Sequence, residues 1–129
     1  MKFLKETYFT VHKIGNSAKL EAIRQHGWRF TVPDTYCDPI EHLDIYMHKD
    51  KPSKRWIIDC PFTGYSLMQG YRDETRDKLA QRFIDSRLDA YLRIIHAKRD
   101  ETGQPTYFEK LEAQYLRVLA NRNDEAVDK

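Results

Sequence analysis

The stretch that decides the fold is residues 75–98, which read TRDKLAQRFIDSRLDAYLRIIHAK. Its apolar side chains form two adjoining stripes at helical spacing, one beginning with Leu79 and Phe83 and the other with Ile84 and Leu88. Together the stripes cover about half of the helix circumference, which is wider than the ~100° arc of a helix that lies on a single surface. The stretch therefore predicts one long helix that packs against a sheet on one side and another helix on the other.

One charged residue interrupts this apolar pattern. Arg87 falls between the two stripes, where an unpaired buried guanidinium would be costly. We interpret it as a structural residue whose stem packs along the helix while its charged end is paired or reaches an edge. The alternative is that it anchors a ligand or a partner in a gap between sheet and helix.

The segments on either side of the long helix complete the predicted fold. Alternation of apolar and polar residues predicts strands at 7–14, 28–32 and 43–48. An apolar run on both faces predicts a central strand at 55–60, and the turn at 61–64 predicts a returning strand at 65–69. A cap at Asn16 or Ser17, with Leu20 and Ile23 on one face, predicts a short helix over 17–26 that ends at Gly27. A last helix is predicted over 106–121, after the break at 102–105.

These elements predict a single α+β domain over residues 1–122. It contains an antiparallel sheet of about five strands, a short N-terminal helix and two packed C-terminal helices. Residues 123–129 are polar and are predicted to form a flexible tail.

Length and charge narrow the class of protein. The chain has 129 residues, 33% of them charged, which suits one folded, well-solvated domain. The formal net charge of +2 disfavours a protein dedicated to coating nucleic acid. No apolar run approaches the ~18 residues that span a bilayer, and the first residues lack a secretory apolar segment. We therefore expect a cytoplasmic protein in which Cys37 and Cys60 remain free thiols.

Motifs for catalysis and for metal binding are missing from the sequence. It contains no GxSxG, no P-loop and no GxGxxG. Cys37, His42, His48 and Cys60 do not have the ligand spacing of a zinc site. We therefore expect a protein that is not an enzyme and holds no cofactor or metal. An enzyme whose site assembles only in three dimensions is the third-ranked alternative.

Two groups of basic residues favour a nucleic-acid interface as the second-ranked function. One group surrounds a hairpin turn and the other begins the long helix, where cations can contact phosphates. The residues of this candidate interface are Lys49, Lys51, Lys54, Arg72, Arg76 and Lys78. In outline, the predicted order of a helix, three strands and a helix over about residues 17–90 resembles the double-stranded-RNA-binding domain. That resemblance implies phosphate contacts at the entry to the last helix.

A protein partner is the first-ranked expectation. Asp73, Glu74 and Asp77 interrupt the positive rim where phosphates would bind. Tyrosine and arginine are enriched at the residues that dominate protein interfaces. The candidate partner-binding residues are Tyr46, Arg55, Tyr65 and Arg72. We expect a small non-enzymatic binding or regulatory protein, of the kind that serves as an inhibitor or adaptor. By analogy alone, many accessory proteins of phages and mobile elements share this character.

Overall fold

The computed structural model describes residues 1–16, 19–60 and 66–121, which form a five-stranded antiparallel sheet and three helices. The strands lie in the sheet in chain order and are β1 (Phe3–Lys13), β2 (Leu20–Asp34), β3 (Glu41–Lys49), β4 (Trp56–Asp59) and β5 (Ser66–Gln69). The helices that follow are α1 (Arg76–Ser86), α2 (Leu88–Ile95) and α3 (Tyr107–Ala120). The predicted α+β class and the antiparallel sheet of five strands are confirmed.

The hydrophobic core lies between one face of the sheet and α1. Successive side chains of a strand point to opposite faces, so the alternating apolar residues of β2, β3 and β4 share this face. The fully buried strand residues are Phe30, Val32, Ile45, Met47 and Ile58. The buried residues of α1 that cover them are Leu79, Ala80 and Phe83. The apolar stripe predicted at the start of the long helix is therefore part of the core.

The predicted short N-terminal helix is wrong. Residues 20–34 form one long strand, β2, and residues 20–30 of it pair with the whole of β1, from Phe3↔Phe30 to Lys13↔Leu20. Two apolar residues at helical spacing are a weak signal, and the ladder to β1 satisfies the backbone polar groups of the segment in extended form. Residues 17 and 18 lie outside the described residues. Without this helix, the outline resemblance to the double-stranded-RNA-binding domain is lost.

The predicted long helix is also not continuous, because it is interrupted at Arg87. This residue has φ −127° and ψ −21° and separates α1 from α2. In the preceding residue, the Ser86 hydroxyl donates to the Arg82 carbonyl oxygen at 2.5 Å, a side-chain hydrogen bond of the type that bends helices. The interruption changes the angular phase of α2, so that Leu92 is buried while Ile94 is 51% exposed. Arg87 itself is exposed, which satisfies the expectation that its charge reaches an edge.

The last helix is present and well capped. The Thr106 hydroxyl accepts from the Glu109 amide, and the Glu109 side chain accepts from the Thr106 amide, which together form a capping box. α3 packs mainly against β2, and the Tyr115 hydroxyl donates to the Phe9 carbonyl oxygen at 3.2 Å. Residues 122–129, which include the predicted tail, lie outside the described residues. No helix in the described part of the chain has both the length and the apolarity to cross a membrane.

Candidate functional site

The β1–β2 hairpin leaves its pairing with β3 at Gly27, and the contact between Tyr8 of β1 and Asp59 of β4 shows that the sheet bends here. β3 pairs only with residues 28–34 of β2, so the outer half of the hairpin has no neighbour on that side. A Cβ at Gly27 would lie 2.1 Å from the Met47 carbonyl oxygen, which shows how closely β2 approaches β3 at this point. In a flat sheet, β1 and β4 would be roughly 14 Å apart, three strand spacings. The bend shortens this separation and lets side chains of β1 reach β4.

This bend assembles a buried polar group that we call the inner cluster, formed by Tyr8, Thr10, His12, His48 and Asp59. The Tyr8 hydroxyl donates to Asp59 Oδ2 at 2.5 Å, and His48 Nδ1 lies 2.6 Å from the same oxygen. Thr10 Oγ1 lies 2.6 Å from His12 Nε2. Asp59 follows an irregularity in the β4–β5 pairing, of the kind that can re-aim a side chain. The cluster joins three strands through one carboxylate.

Burial shifts the pKa values of two members of the inner cluster, Tyr8 and His12. It raises the pKa of Tyr8 well above the ordinary value, and the Asp59 carboxylate raises it further. The phenol is therefore a permanent donor. Burial also lowers the pKa of His12, although the Asp59 and Glu21 carboxylates partly oppose the change. The cluster has its hydrogen bonds satisfied internally, which suits a structural role.

A second polar group lies where β2 ends and α2 ends; we call it the edge cluster. Its members are Asp34, Cys37 and His96, whose donor atoms all lie within 4.8 Å of one another. His96 Nε2 is 2.6 Å from Asp34 Oδ2. Asp34 is the last residue of β2, Cys37 lies in the following turn, and His96 caps the C-terminus of α2. The turn and the break at Arg87 together bring these residues close.

In the edge cluster, burial and neighbouring groups shift the pKa values of Asp34 and Cys37. Burial by itself raises the pKa of Asp34, but hydrogen bonds from His96, the Tyr36 amide and Cys37 outweigh it and lower the pKa. Desolvation, followed by the nearby Asp34 carboxylate, raises the pKa of the Cys37 thiol. The thiol of the free protein is therefore protonated at neutral pH.

A third feature, the arginine hollow, opens beside the β3–β4 turn. It is a surface depression of about 610 Å³. Its lining residues are Asp50, Ser53, Arg55, Ile57, Gln69 and Arg72. Within the described residues, neither guanidinium makes an ion pair with an acidic side chain. The two arginines are therefore free to bind an anionic group.

The predicted partner-binding set is only partly brought together. Arg55 and Arg72 share the arginine hollow. Tyr46 is half-buried, and its ring centroid lies 4.9 Å from that of Tyr8, so it contacts the inner cluster. Tyr65 lies outside the described residues. Among the described members of the set, Arg55 and Arg72 are therefore the two that lie together.

The predicted nucleic-acid set is dispersed over several environments. The Arg76 guanidinium carbon lies 4.3 Å from the ring centroids of both Phe3 and Trp28, and its Nε donates to Asp77. Lys49 lies over the Trp56 ring at 5.9 Å. Arg76 is half-buried, and the other five members, Lys49, Lys51, Lys54, Arg72 and Lys78, are exposed. Two of the six cations therefore already contact aromatic rings of the protein.

Sequence patterns missed both histidine–carboxylate clusters. Asp59 had a usable signal, because an acidic residue between Ile58 and Cys60 in an apolar strand indicates a buried, hydrogen-bonded acid. No local pattern could pair Asp34 with His96, which is 62 residues away. As a possible zinc ligand, Cys37 was grouped only with His42, His48 and Cys60.

Comparison of the chain with protein-family models, with curated proteins and with solved structures gives no match.

Proposed function

We propose that this chain is a non-enzymatic binding protein that recognises an acidic segment of a partner protein at the arginine hollow. The observation that carries the proposal is the convergence of Arg55 and Arg72, without an acidic partner among the described residues, on one depression. Arginine presents its donors in a planar fork that matches a carboxylate in bidentate geometry. Arginine is also enriched at the residues that dominate protein interfaces.

The rest of the lining favours carboxylate side chains over a continuous phosphate backbone. Asp50 lies in the hollow, where its charge would repel a polyanion. Hydrogen bonds from the Ser53 hydroxyl and amide lower the pKa of Asp50, so this carboxylate stays charged. Two cations beside one anion leave a small positive excess, which suits one or two acidic side chains. The role as an inhibitor or adaptor is part of this proposal.

The environment of the edge cluster argues against a thiol enzyme. A nucleophilic cysteine needs a base or a cation that lowers the pKa of its thiol. Here Asp34 lies between the thiol and His96, and the pKa of Cys37 is raised. We also propose a cytoplasmic setting, and the free thiols of Cys37 and Cys60 are compatible with a reducing compartment.

The test measures binding of a fluorescent oligoglutamate peptide and, in parallel, of labelled duplex RNA and single-stranded DNA. The double variant Arg55→Ala/Arg72→Ala should weaken peptide binding at least about tenfold, because hydrogen bonds to charged groups contribute roughly 1.5–3 kcal/mol each. The control Arg87→Ala/Arg117→Ala removes two exposed arginines outside the hollow and should change the affinity little.

Two results would overturn the proposal. One is equal loss of peptide affinity in the hollow variant and in the control variant. The other is tighter, steeply salt-dependent binding of nucleic acid that the hollow variant abolishes, which would establish the second-ranked function instead.

A further inference from the structure

We infer that Asp34, Cys37 and His96 form a zinc-binding site that ties the end of β2 to the end of α2. The inference rests on the edge cluster alone and is independent of the arginine hollow. The sequence predicted no metal site, because the spacing of the residues did not indicate that Asp34 and His96 would lie beside Cys37 as further ligands.

The geometry is close to what the metal requires. Zinc bonds of ~2.0–2.3 Å to oxygen, nitrogen and sulfur place the ligand atoms of a tetrahedral site roughly 3.3–3.7 Å apart. The three donor atoms here lie within 4.8 Å of one another, and the closest pair is 2.6 Å apart. Shifts of about 1 Å, reached by small side-chain rotations, would convert the ion pair into a coordination triangle.

The chemistry of the donors favours zinc over other common cations. One thiolate, one imidazole and one carboxylate are the three ligand types that zinc takes in proteins. Calcium and magnesium prefer oxygen ligands alone, so the sulfur and nitrogen donors disfavour them. Three protein ligands leave the fourth position of the tetrahedron for water or for a group from another molecule.

The surroundings hold the ligands in place before the metal arrives. The Tyr36 ring stacks on the His96 ring, with centroids 5.4 Å apart and planes within 3°. The Tyr36 hydroxyl donates to Asp89 and accepts from Arg93, which fixes the stacked ring. The Tyr36 amide donates to Asp34 Oδ1 at 3.1 Å, so that Oδ2 remains for the metal. Such supporting contacts orient the ligands of metal sites.

Proton balance gives a distinctive signature. Zinc binds the thiolate, so the proton of the Cys37 thiol is released to solvent when the metal enters. The hydrogen between His96 Nε2 and Asp34 Oδ2 must also leave that position, by transfer to Nδ1 or to solvent, because both atoms become ligands. Zinc binding should therefore weaken as the pH falls, whereas a passive ion pair between Asp34 and His96 would take up no metal.

The test titrates the metal-free chain with Zn²⁺ and with Co²⁺ as a spectroscopic substitute. We expect one ion per chain, a thiolate-to-cobalt charge-transfer absorption, proton release and a higher melting temperature. Cys37→Ser should abolish the charge-transfer absorption, and His96→Gln and Asp34→Asn should each weaken binding at least about tenfold. The matched controls Cys60→Ser and His42→Gln should bind as the wild type does, since neither residue belongs to the edge cluster.

Circular dichroism of each variant checks that the fold is retained. The inference is overturned if the folded wild type binds no zinc at micromolar concentration. It is equally overturned if Cys37→Ser retains the charge-transfer absorption, or if Cys60→Ser loses it.

Discussion

The inner cluster and the edge cluster contain the same pair of side chains in different surroundings. His48 Nδ1–Asp59 Oδ2 and His96 Nε2–Asp34 Oδ2 are both 2.6 Å apart. Their carboxylates are almost equally buried, at 5% and 8% side-chain exposure. The histidines differ, because His48 is 15% exposed and His96 is 30% exposed.

The remaining neighbours account for the difference in proposed role. In the inner cluster, the third member is Tyr8, which donates a second hydrogen bond to the Asp59 oxygen that His48 already contacts. In the edge cluster, the third member is Cys37, a weak donor that becomes a strong ligand once it loses its proton. The third partner of a histidine–carboxylate pair and the access of the pair to water therefore decide whether it is suited to stabilise the fold or to bind a ligand.

The sharpest test of this contrast is a matched pair of substitutions, Asp59→Ala and Asp34→Ala. Asp59→Ala should lower the free energy of unfolding by ~3–5 kcal/mol, because it leaves the Tyr8 hydroxyl and His48 buried without their partner. Asp34→Ala should cost about 1 kcal/mol in metal-free protein, because His96 can turn to water. Urea denaturation in the presence of a chelator measures both. Equal losses of unfolding free energy would contradict the contrast, because they would show that the two pairs stabilise the fold equally.

The next largest effect should come from the bend that creates the inner cluster. Gly27→Ala places a Cβ against the Met47 carbonyl oxygen and should cost ~1–3 kcal/mol through overpacking. Near-ultraviolet circular dichroism should also change as Tyr8 moves away from Asp59. In the comparison variant Gly15→Ala the added Cβ meets nothing within 4 Å. Any loss of stability there comes from the strained φ of +57°, and the environment of Tyr8 should stay unchanged. A Gly27→Ala protein with wild-type stability and spectrum would contradict the proposed role of the bend.

The smallest expected effect is a pH dependence from His12. Because burial lowers the pKa of His12 in the folded protein, the unfolded chain takes up this proton first as the pH falls below about 6.5. The contribution to stability is full above that ordinary pKa and declines as the pH falls toward the folded pKa. His12→Gln should remove this part of the decline.

Unfolding free energies at about pH 7.5 and about pH 5.5 measure the change, since the ordinary histidine pKa lies between these values. The difference between the two pH values should be smaller in His12→Gln than in the wild type. An unchanged or larger difference would mean that His12 does not carry the proton linkage.

Much of the fold could be predicted, and the reasons are local. Alternation along 28–32 and 43–48 marked the buried face of β2 and β3 correctly, and the break at 102–105 marked the start of α3. The error at residues 17–26 arose because two apolar residues fit a helical period by chance, while the pairing partner of that segment lies in β1. The continuous helix over 75–98 was wrong because the break follows a single hydrogen bond from Ser86.

The candidate sites were less predictable. Of the basic residues near the β3–β4 turn and the entry to α1, Arg55 and Arg72 line one hollow. Tyr46 packs inward against Tyr8 and does not line the hollow, and Tyr65 lies outside the described residues. Neither cluster of histidine and carboxylate was predicted, since its members come from different elements.

The sequence by itself determined the α+β class, the apolar face of each main strand and the basic character of the β3–β4 turn. These properties follow from spacings of two to four residues, which local geometry converts directly into faces and turns. Only the tertiary structure decided that Tyr8 meets Asp59 and that Asp34 meets His96, across 51 and 62 residues. The physical reason is that contacts between distant segments, such as the close approach of Gly27 to Met47, depend on close packing that no local period encodes.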